Sequence, residues 1–339
     1  MTHRTYASWR DIDRLGYFKR LDDGRLELTV PGLDGLVDFH THLGWTFLLG
    51  KPIDLTVRTR EVVHNFTPDL AVDLDVYSGQ NFYEVRPNWS TQDYLPCILY
   101  PFRYGKHFTH TLPNILWEME PLRIGTSVSL CLDLAGSHNS ERAAEIFTGE
   151  PRIAFFCCVH PKDKRADEKM EKFVGAGAKG MKIHPEIQLT PIDSDIMLKH
   201  MKMWNKISGG RPVLFHSGFN GFEPKRAREH AAIEKYEPAA QALGATPCIL
   251  GHAAMNEFRK AIDIAERHYN VYLECSGQPP AHLKEMLDRL GDERLLFGSD
   301  WPVYPQALPM AKVLLATEDA PEARIRILRD NALKLLYKE

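Results

Sequence analysis

His40 and His42 stand two residues apart at the end of the apolar run Val37-Asp38-Phe39-His40-Thr41-His42. In a β-strand successive side chains alternate faces, so the two imidazoles share one wall and can meet one metal ion. Among fifteen histidines an H-x-H pair arises easily by chance, so the pair needs distant partners. Lys182 and His184 supply them in Lys182-Ile183-His184-Pro185, as do His216 after Pro212-Val213-Leu214-Phe215, His252 after Cys248-Ile249-Leu250-Gly251, and Asp300 in Phe297-Gly298-Ser299-Asp300-Trp301-Pro302. Each closes a short apolar run, and a parallel barrel keeps its chemistry at that end of its strands.

Three imidazoles and a carboxylate, from His40, His42, His216 and Asp300, form a donor set that suits Zn2+, with Mn2+, Fe2+ or Co2+ as substitutes. A cation so held brings the pKa of bound water to about 7 and polarises a carbonyl. Asp300 would take the proton of that water and pass it to the leaving group. His252 would hydrogen-bond the carbonyl oxygen or the water. Any one of these residues alone reads as a satisfied core histidine or a helix cap. Five at the same strand end read as a metal site.

The elements that must position them come from the alternation of apolar runs with amphipathic segments. After the first strand, further strands are expected at Ser127 to Leu134, Ile153 to Val159, Gly180 to His184, Pro212 to His216, Cys248 to His252, Val271 to Ser276 and Arg294 to Gly298. The helices between them are expected at Ser140 to Phe147, Asp167 to Val174, Asp193 to Ile207, Ala227 to Leu243, Asn256 to His268 and Pro280 to Leu290, with Leu308 to Thr317 and Glu322 to Leu336 completing the ring. Eight repeats of this kind predict an α/β fold, a (β/α)8 TIM barrel. Gly175-Ala176-Gly177-Ala178-Lys179-Gly180 fits G-x-G-x-x-G, but it follows a helix and enters a strand, the reverse of a dinucleotide fingerprint. Its glycines read as a helix cap and a tight turn.

The exception to the regular pattern is a long insertion after strand one, residues 43–109, rich in aromatics and broken by prolines, followed by a helix over 110–121. It would emerge on the rim that carries His40 and His42, as an inserted lid or a subunit contact. Residues 1–34 are polar and turn-rich and read as a lead-in. The chain, 1–339, is expected to be a single domain.

A formal charge of -3 over 339 residues gives neither a basic field for nucleic acid nor a polybasic patch for a membrane, so the expected partner is a small molecule. The six cysteines contain no C-x-x-C pair, which argues against a thiolate zinc site. No apolar signal-peptide core and no span-length stretch is seen, so the expected location is cytoplasmic, and the matches to the glycosylation sequon at Asn65 and Asn88 read as accidental. A homo-oligomer is the base-rate expectation.

These residues resemble the amidohydrolase superfamily, specifically its amidohydrolase-2 branch of metal-dependent TIM-barrel hydrolases, which includes aminocarboxymuconate-semialdehyde decarboxylase-like enzymes. The resemblance runs from Asp38-Phe39-His40-Thr41-His42 through Gly180 to Pro185, Phe215-His216-Ser217-Gly218, Gly251-His252 and the Gly298-Ser299-Asp300-Trp301-Pro302 segment to Asn331-Ala332-Leu333-Lys334-Leu335-Leu336. It implies His40, His42, His216 and Asp300 as metal ligands and His252 as an acid/base or polarising group. Lys182 and His184 stay open between a second-metal role, with Lys182 as a bridging carbamate, a substrate contact and a structural role.

The expected activity is that of a metal-dependent hydrolase with one ion or two, cleaving a C–O or C–N bond in a lactone, ester or amide. Gly-Ser-Asp-Trp-Pro resembles the eighth-strand signature of sugar lactonases, which favours that reading. The alternative is non-oxidative decarboxylation of a small carboxylated substrate on the same ion, and a third is metal binding without turnover. Arg103, Lys106, His107 and His110 are candidates for contacting a substrate carboxylate.

Overall fold

The structure is a computed structural model that describes residues 4–44, 53–84, 106–133, 137–219 and 228–337. Eight parallel strands form one sheet: β1 (Leu36–Thr41), β2 (Ile124–Leu130), β3 (Ile153–Cys157), β4 (Gly180–Ile183), β5 (Val213–His216), β6 (Cys248–Gly251), β7 (Val271–Glu274) and β8 (Leu295–Leu296). They lie side by side in chain order. Backbone bonds from Phe39 N to Phe297 O (2.8 Å), Asp300 N to His40 O (2.8 Å) and His42 N to Trp301 O (2.6 Å) join β1 to the segment after β8 and complete the ring. The expected (β/α)8 barrel is therefore the observed one.

Outside the ring run α1 (Leu112–Met119), α2 (Asn139–Phe147), α3 (Ala166–Gly175), α4 (Asp195–Ser208), α5 (Tyr236–Leu243), α6 (Phe258–Arg267), α7 (Pro280–Leu290), α8 (Ala307–Ala316) and the C-terminal α9 (Asn331–Leu336). Strand alternation sorts the apolar residues into two cores. Met181 and Ile183, Val213 and Phe215, Cys248 and Leu250 face outward and pack under the helices. Their neighbours Leu214 and Ile249 join Val37, Phe39, Val128 and Phe156 in an inner cluster with Leu335 and Leu336 of α9. The inner face is thus apolar in its lower layers and turns polar at Lys182, His216 and the residue after Gly251. Gly180 is required by this packing, because a Cβ there would lie 2.4 Å from the Phe156 ring.

Several expected elements differ in extent. Strand eight, expected over 294–298, pairs only at Leu295 and Leu296, since Phe297 N turns away to Ile327 O. The helix expected from Ala227 is a regular α-helix only from Tyr236; residue 227 lies outside the described residues. The helix expected from Asn256 begins at Phe258, because residues 252–255 take left-handed backbone conformations.

The N-terminal lead-in is an ordered part of the molecule. It forms a 3-10 helix (Trp9–Leu15) and a hairpin (Phe18–Arg20 with Leu26–Leu28), and it buries Trp9, Ile12, Phe18 and Leu28. The described part of the insertion packs on the same core through Ile53, Leu55, Phe66 and Leu74, and Val72–Asp73 pairs with Thr5–Tyr6. Among its aromatics, Trp45, Phe47, Trp89, Tyr94, Tyr100, Phe102 and Tyr104 lie outside the described residues. Lys312 of α8 is buried and donates to Val76 O (2.8 Å), Ser78 Oγ (2.8 Å) and Gly277 O (3.2 Å), tying the insertion to the loop after β7. Burial pushes its amine down to about 7. No helix among the described residues is long and apolar enough to cross a membrane, and the five described cysteines are buried and free.

Candidate metal centre

β1 presents the first two candidate ligands through an irregularity. Its register against β2 slips between Asp38 and Thr41, an extra residue that resets the alternation of faces. Phe39 can therefore stay in the inner core, edge-on to Phe156, while His40 and His42 converge with Nε2 atoms 3.2 Å apart. Asp300 Oδ1 lies 3.6 Å from His40 Nε2 and 3.4 Å from His42 Nε2. Ligand atoms about 2.0 to 2.2 Å from a tetrahedral centre are separated by about 3.3 to 3.6 Å. The three edges match a single small divalent cation.

The outer nitrogens fix which atoms are free to bind. His42 Nδ1 faces Leu130 O at 2.9 Å, and a carbonyl can only accept, so the proton sits on Nδ1 and the Nε2 lone pair points to the centre. His40 Nδ1 is 2.5 Å from Glu274 Oε2, the carboxylate-histidine pairing that orients metal-binding imidazoles. Burial pushes both histidines below their usual pKa, His40 furthest, which keeps them neutral as a ligand must be.

Asp300 is delivered by a strained turn. Its φ is 61°, a left-handed conformation that an aspartate rarely adopts, and it is held by its bond to His40 O and by Val303 N donating to its own carbonyl (2.8 Å). Before it, Asp38 accepts from Ser299 N (2.8 Å), Ser299 Oγ (2.6 Å) and Gln306 Nε2 (2.7 Å). Burial raises the Asp38 carboxyl to about 6 against these donors, which favour the ionised form. At Gly298 a Cβ would stand 2.3 Å from Glu274 Oε1 and 2.6 Å from His40 Cβ, so the centre leaves no room for any side chain there.

His252 begins a run of four left-handed residues, His252 to Met255, at the end of β6. Gln278 Nε2 braces the run by donating to His252 O (2.7 Å) and Met255 O (2.9 Å). Ser276 Oγ donates to Glu274 Oε2 (2.9 Å) and so accepts from His252 Nδ1 at 2.7 Å, leaving His252 Nε2 unprotonated. The His252 ring lies 4.6 Å from that of His40 and 5.0 Å from that of His216. Ligand atoms of His40, His252 and Asp300 fall within 4.8 Å of one another.

The remaining candidates form a second group across His252. His216 stacks on His184 at 3.9 Å with 9° between planes, and its Nε2 is 3.6 Å from Glu186 Oε2. The ligand atoms of His184, Glu186 and His216 also lie within 4.8 Å of one another. Lys182 is buried, with no hydrogen-bond partner for Nζ among the described residues, and close enough to influence His40, His42, His184, His216 and His252 electrostatically. Burial pushes its amine down to about 8, while Asp300 and Glu274 pull the other way. His110 instead donates to Val63 O (2.7 Å) beside the Trp301 ring, and Arg103 and the side chains of Lys106 and His107 lie outside the described residues.

Glu274, Ser276, Gln278 and Asp38 were not assigned roles from the sequence. Glu274 carried the plainest signal, a carboxylate ending the apolar run Val271-Tyr272-Leu273, and burial lifts its carboxyl to about 8 against donors from His252 N, Ser276 N and Ser276 Oγ that favour the ionised form. A cavity of about 630 Å³ opens at the ends of β2 and β3, walled by Asp133, Cys158, His160 and Lys162. None of the clustered ligands lines it.

A sequence profile of the amidohydrolase family matches residues 37–337. No curated protein gives a significant match. Solved structures share the fold at low identity. The 5-carboxyvanillate decarboxylase of Sphingomonas paucimobilis is 13% identical with a TM-score of 0.59, over 89% of this chain and 98% of that one. A dihydroxybenzoic acid decarboxylase of Polaromonas sp. JS666, with bound manganese and the inhibitor 2-nitroresorcinol, is 14% identical with a TM-score of 0.55, over 90% and 97%. A probable 2-pyrone-4,6-dicarboxylic acid hydrolase of Acinetobacter baumannii, with citric acid bound, is 11% identical with a TM-score of 0.53, over 89% and 99%.

Proposed function

The chain belongs to the amidohydrolase family, and on that premise we propose that it is a metal-dependent decarboxylase of a small carboxylated molecule. The observation that carries this reading is Lys182. Among the described residues the amine buried beside these imidazoles has no hydrogen-bonded acceptor, Asp300 and Glu274 acting on it only through space, and a substrate carboxylate would supply one. A neutral lactone or ester would leave it unmatched.

In this reading His40, His42 and Asp300 would hold the cation, and His216, which stands with His184 and Glu186 across His252, would complete the set by turning toward it. Zinc or manganese fits the donors, and the Polaromonas neighbour holds manganese. A divalent cation there would supply a positive centre that orients the substrate oxygens and offsets the charge left behind when CO2 departs. Lys182 binds the carboxylate. Breaking the C–C bond leaves its electron pair on the substrate carbon, which gains one proton. His252, held through Nδ1 by Ser276 Oγ, takes a proton from solvent at Nε2 and delivers it there. The 43–109 insertion serves as lid or subunit contact in a single-domain, cytoplasmic homo-oligomer.

Hydrolysis of a C–O or C–N bond is the second reading. The His184, Glu186 and His216 group favours it, because two neighbouring cations suit a hydrolytic reaction. The test is to incubate metal-loaded enzyme with aromatic and unsaturated carboxylic acids and with lactones, in water carrying both deuterium and oxygen-18. Release of CO2 with one deuterium on the product carbon is expected, at one metal per chain. Product bearing solvent oxygen without CO2 overturns the proposal in favour of hydrolysis.

A further inference from the structure

Lys312 is the only charged residue of α8, a helix whose ten residues are all buried. A buried charge is weak support for stability, and an apolar side chain of similar length would serve the packing as well. What the amine supplies instead is three directed bonds, to Val76 O (2.8 Å), Ser78 Oγ (2.8 Å) and Gly277 O (3.2 Å). They match the three N–H groups of an ammonium. Deprotonated, the amine still donates to the two carbonyls and accepts from the Ser78 hydroxyl, so the tie holds in either charge state. It joins the insertion at 76–78 to the loop after β7.

That loop is the one that holds His252. Ser276 Oγ accepts from His252 Nδ1 (2.7 Å), and Gln278 Nε2 donates to His252 O (2.7 Å) and Met255 O (2.9 Å). Gly277 stands between these two residues with a φ of 78°, a left-handed conformation that glycine adopts without strain. Its carbonyl accepts from Ser78 N (2.8 Å) as well as from Lys312. A Cβ on Gly277 would lie 2.9 Å from the Tyr77 ring, so the insertion is seated directly on the glycine backbone. Gln80 Nε2 adds a bond to Asn256 Oδ1 (3.2 Å), just past the left-handed run. The insertion also has anchors of its own, Asn65 N to Pro302 O (3.0 Å), Phe66 N to Val303 O (2.8 Å) and the pairing of Val72–Asp73 with Thr5–Tyr6. Loss of Lys312 therefore loosens the hold of 76–78 on Gly277 without detaching the insertion.

We propose that Lys312 is a positioning residue for His252: with Tyr77 and Ser78 it fixes Gly277, and through Ser276 and Gln278 on either side it fixes the Nδ1 bond and the backbone of His252. The insertion thereby takes part in aiming the imidazole, whatever else it covers. The consequence for turnover rests on the proton delivery assigned to His252 above. The consequence for the imidazole itself does not.

The test follows solvent exchange of the His252 Nδ1 proton by NMR in full-length, 15N-histidine-labelled protein saturated with Zn2+, which is diamagnetic. The resonance is assigned by its loss in His252→Gln, and the His42 Nδ1 proton on Leu130 O serves as internal reference. In Lys312→Met the His252 proton is expected to exchange about tenfold faster or more while the His42 proton keeps its rate, and in Ser78→Ala the change has the same direction and is smaller. With a substrate that releases CO2, kcat of Lys312→Met falls about tenfold to 100-fold, while KM and Zn2+ affinity stay within about twofold of wild type. A His252 proton as protected as in wild type overturns the proposal, and so does equal loosening at His42, which marks a general loss of stability. Faster exchange at His252 with unchanged kcat upholds the positioning and instead removes the proton delivery assigned to His252. Where Lys312→Met fails to fold, Ser78→Ala decides by the same two resonances.

Discussion

Replacing Glu274 by glutamine changes one oxygen for an NH2 group and should disarm the metal centre without emptying the space around it. Four donors converge on this carboxylate: His40 Nδ1 (2.5 Å), Ser276 Oγ (2.9 Å) and His252 N (3.1 Å) on Oε2, and Ser276 N (2.6 Å) on Oε1. With its amide oxygen at the Oε2 position, glutamine turns its NH2 against Ser276 N–H, donor to donor. Flipped, the NH2 opposes His40 Nδ1–H and drives the imidazole into the other tautomer, with its proton on the Nε2 that should face the cation. The first arrangement costs about 1 to 3 kcal/mol of stability. The second weakens metal binding by about 10- to 100-fold, which corresponds to about 1.4 to 2.7 kcal/mol. Chelator competition measures the affinity, and urea unfolding of the metal-free protein separates the two costs. A Glu274→Gln protein with wild-type metal affinity and wild-type stability would refute the role given to Glu274.

Three further substitutions probe other parts of the design. Lys182→Met removes an unpaired buried amine and should stabilise the metal-free protein by about 1 kcal/mol or more while turnover collapses; a fall in urea midpoint would contradict this. Gln278→Ala orphans the carbonyls of His252 and Met255 and should cost about 2 to 3 kcal/mol, with a lower kcat as His252 loses its brace; an unchanged thermal midpoint and kcat would argue against the bracing role. Lys312 titrates near 7 in the fold against 10.5 for a free lysine, so the unfolded chain binds more protons between those values and stability rises with pH across them. Wild type should therefore gain on Lys312→Met between pH 7 and pH 9.5 in urea unfolding, and a flat or inverted difference would remove the assignment.

The ring of strands and the ends that carry chemistry were legible because a short continuous apolar run and a terminal polar residue coincide in Pro212 to His216 and Cys248 to His252. His40, His42, His252 and Asp300 converge as that logic expects. His216 sits with His184 and Glu186, a grouping set by side-chain torsions that spacing does not encode. Glu274 and Asp38 escaped notice because a lone acid in an apolar run reads as an interruption until its donors are known, and those lie far away in sequence. The left-handed run at 252–255 shortened an expected helix for a similar reason: Ala253-Ala254-Met255 favours a helix locally, and Gln278 and the packing of Gly218 against Ala254 override it. The insertion gave no period at all, and in its described part the apolar residues Ile53, Leu55, Phe66 and Leu74 pack on the core along an irregular path.

The closure of the barrel ties chemistry to the order of assembly. Since β8 adds only Leu295 and Leu296 to the ladder, the joint between first and last strands relies on the backbone of Phe39, His40, His42, Phe297, Asp300 and Trp301. A cation gripped by the side chains of three of those residues would act as a rivet through that joint. It can be driven home only after nearly the whole polypeptide has been made, so capture of the ion and completion of the molecule become the same late event.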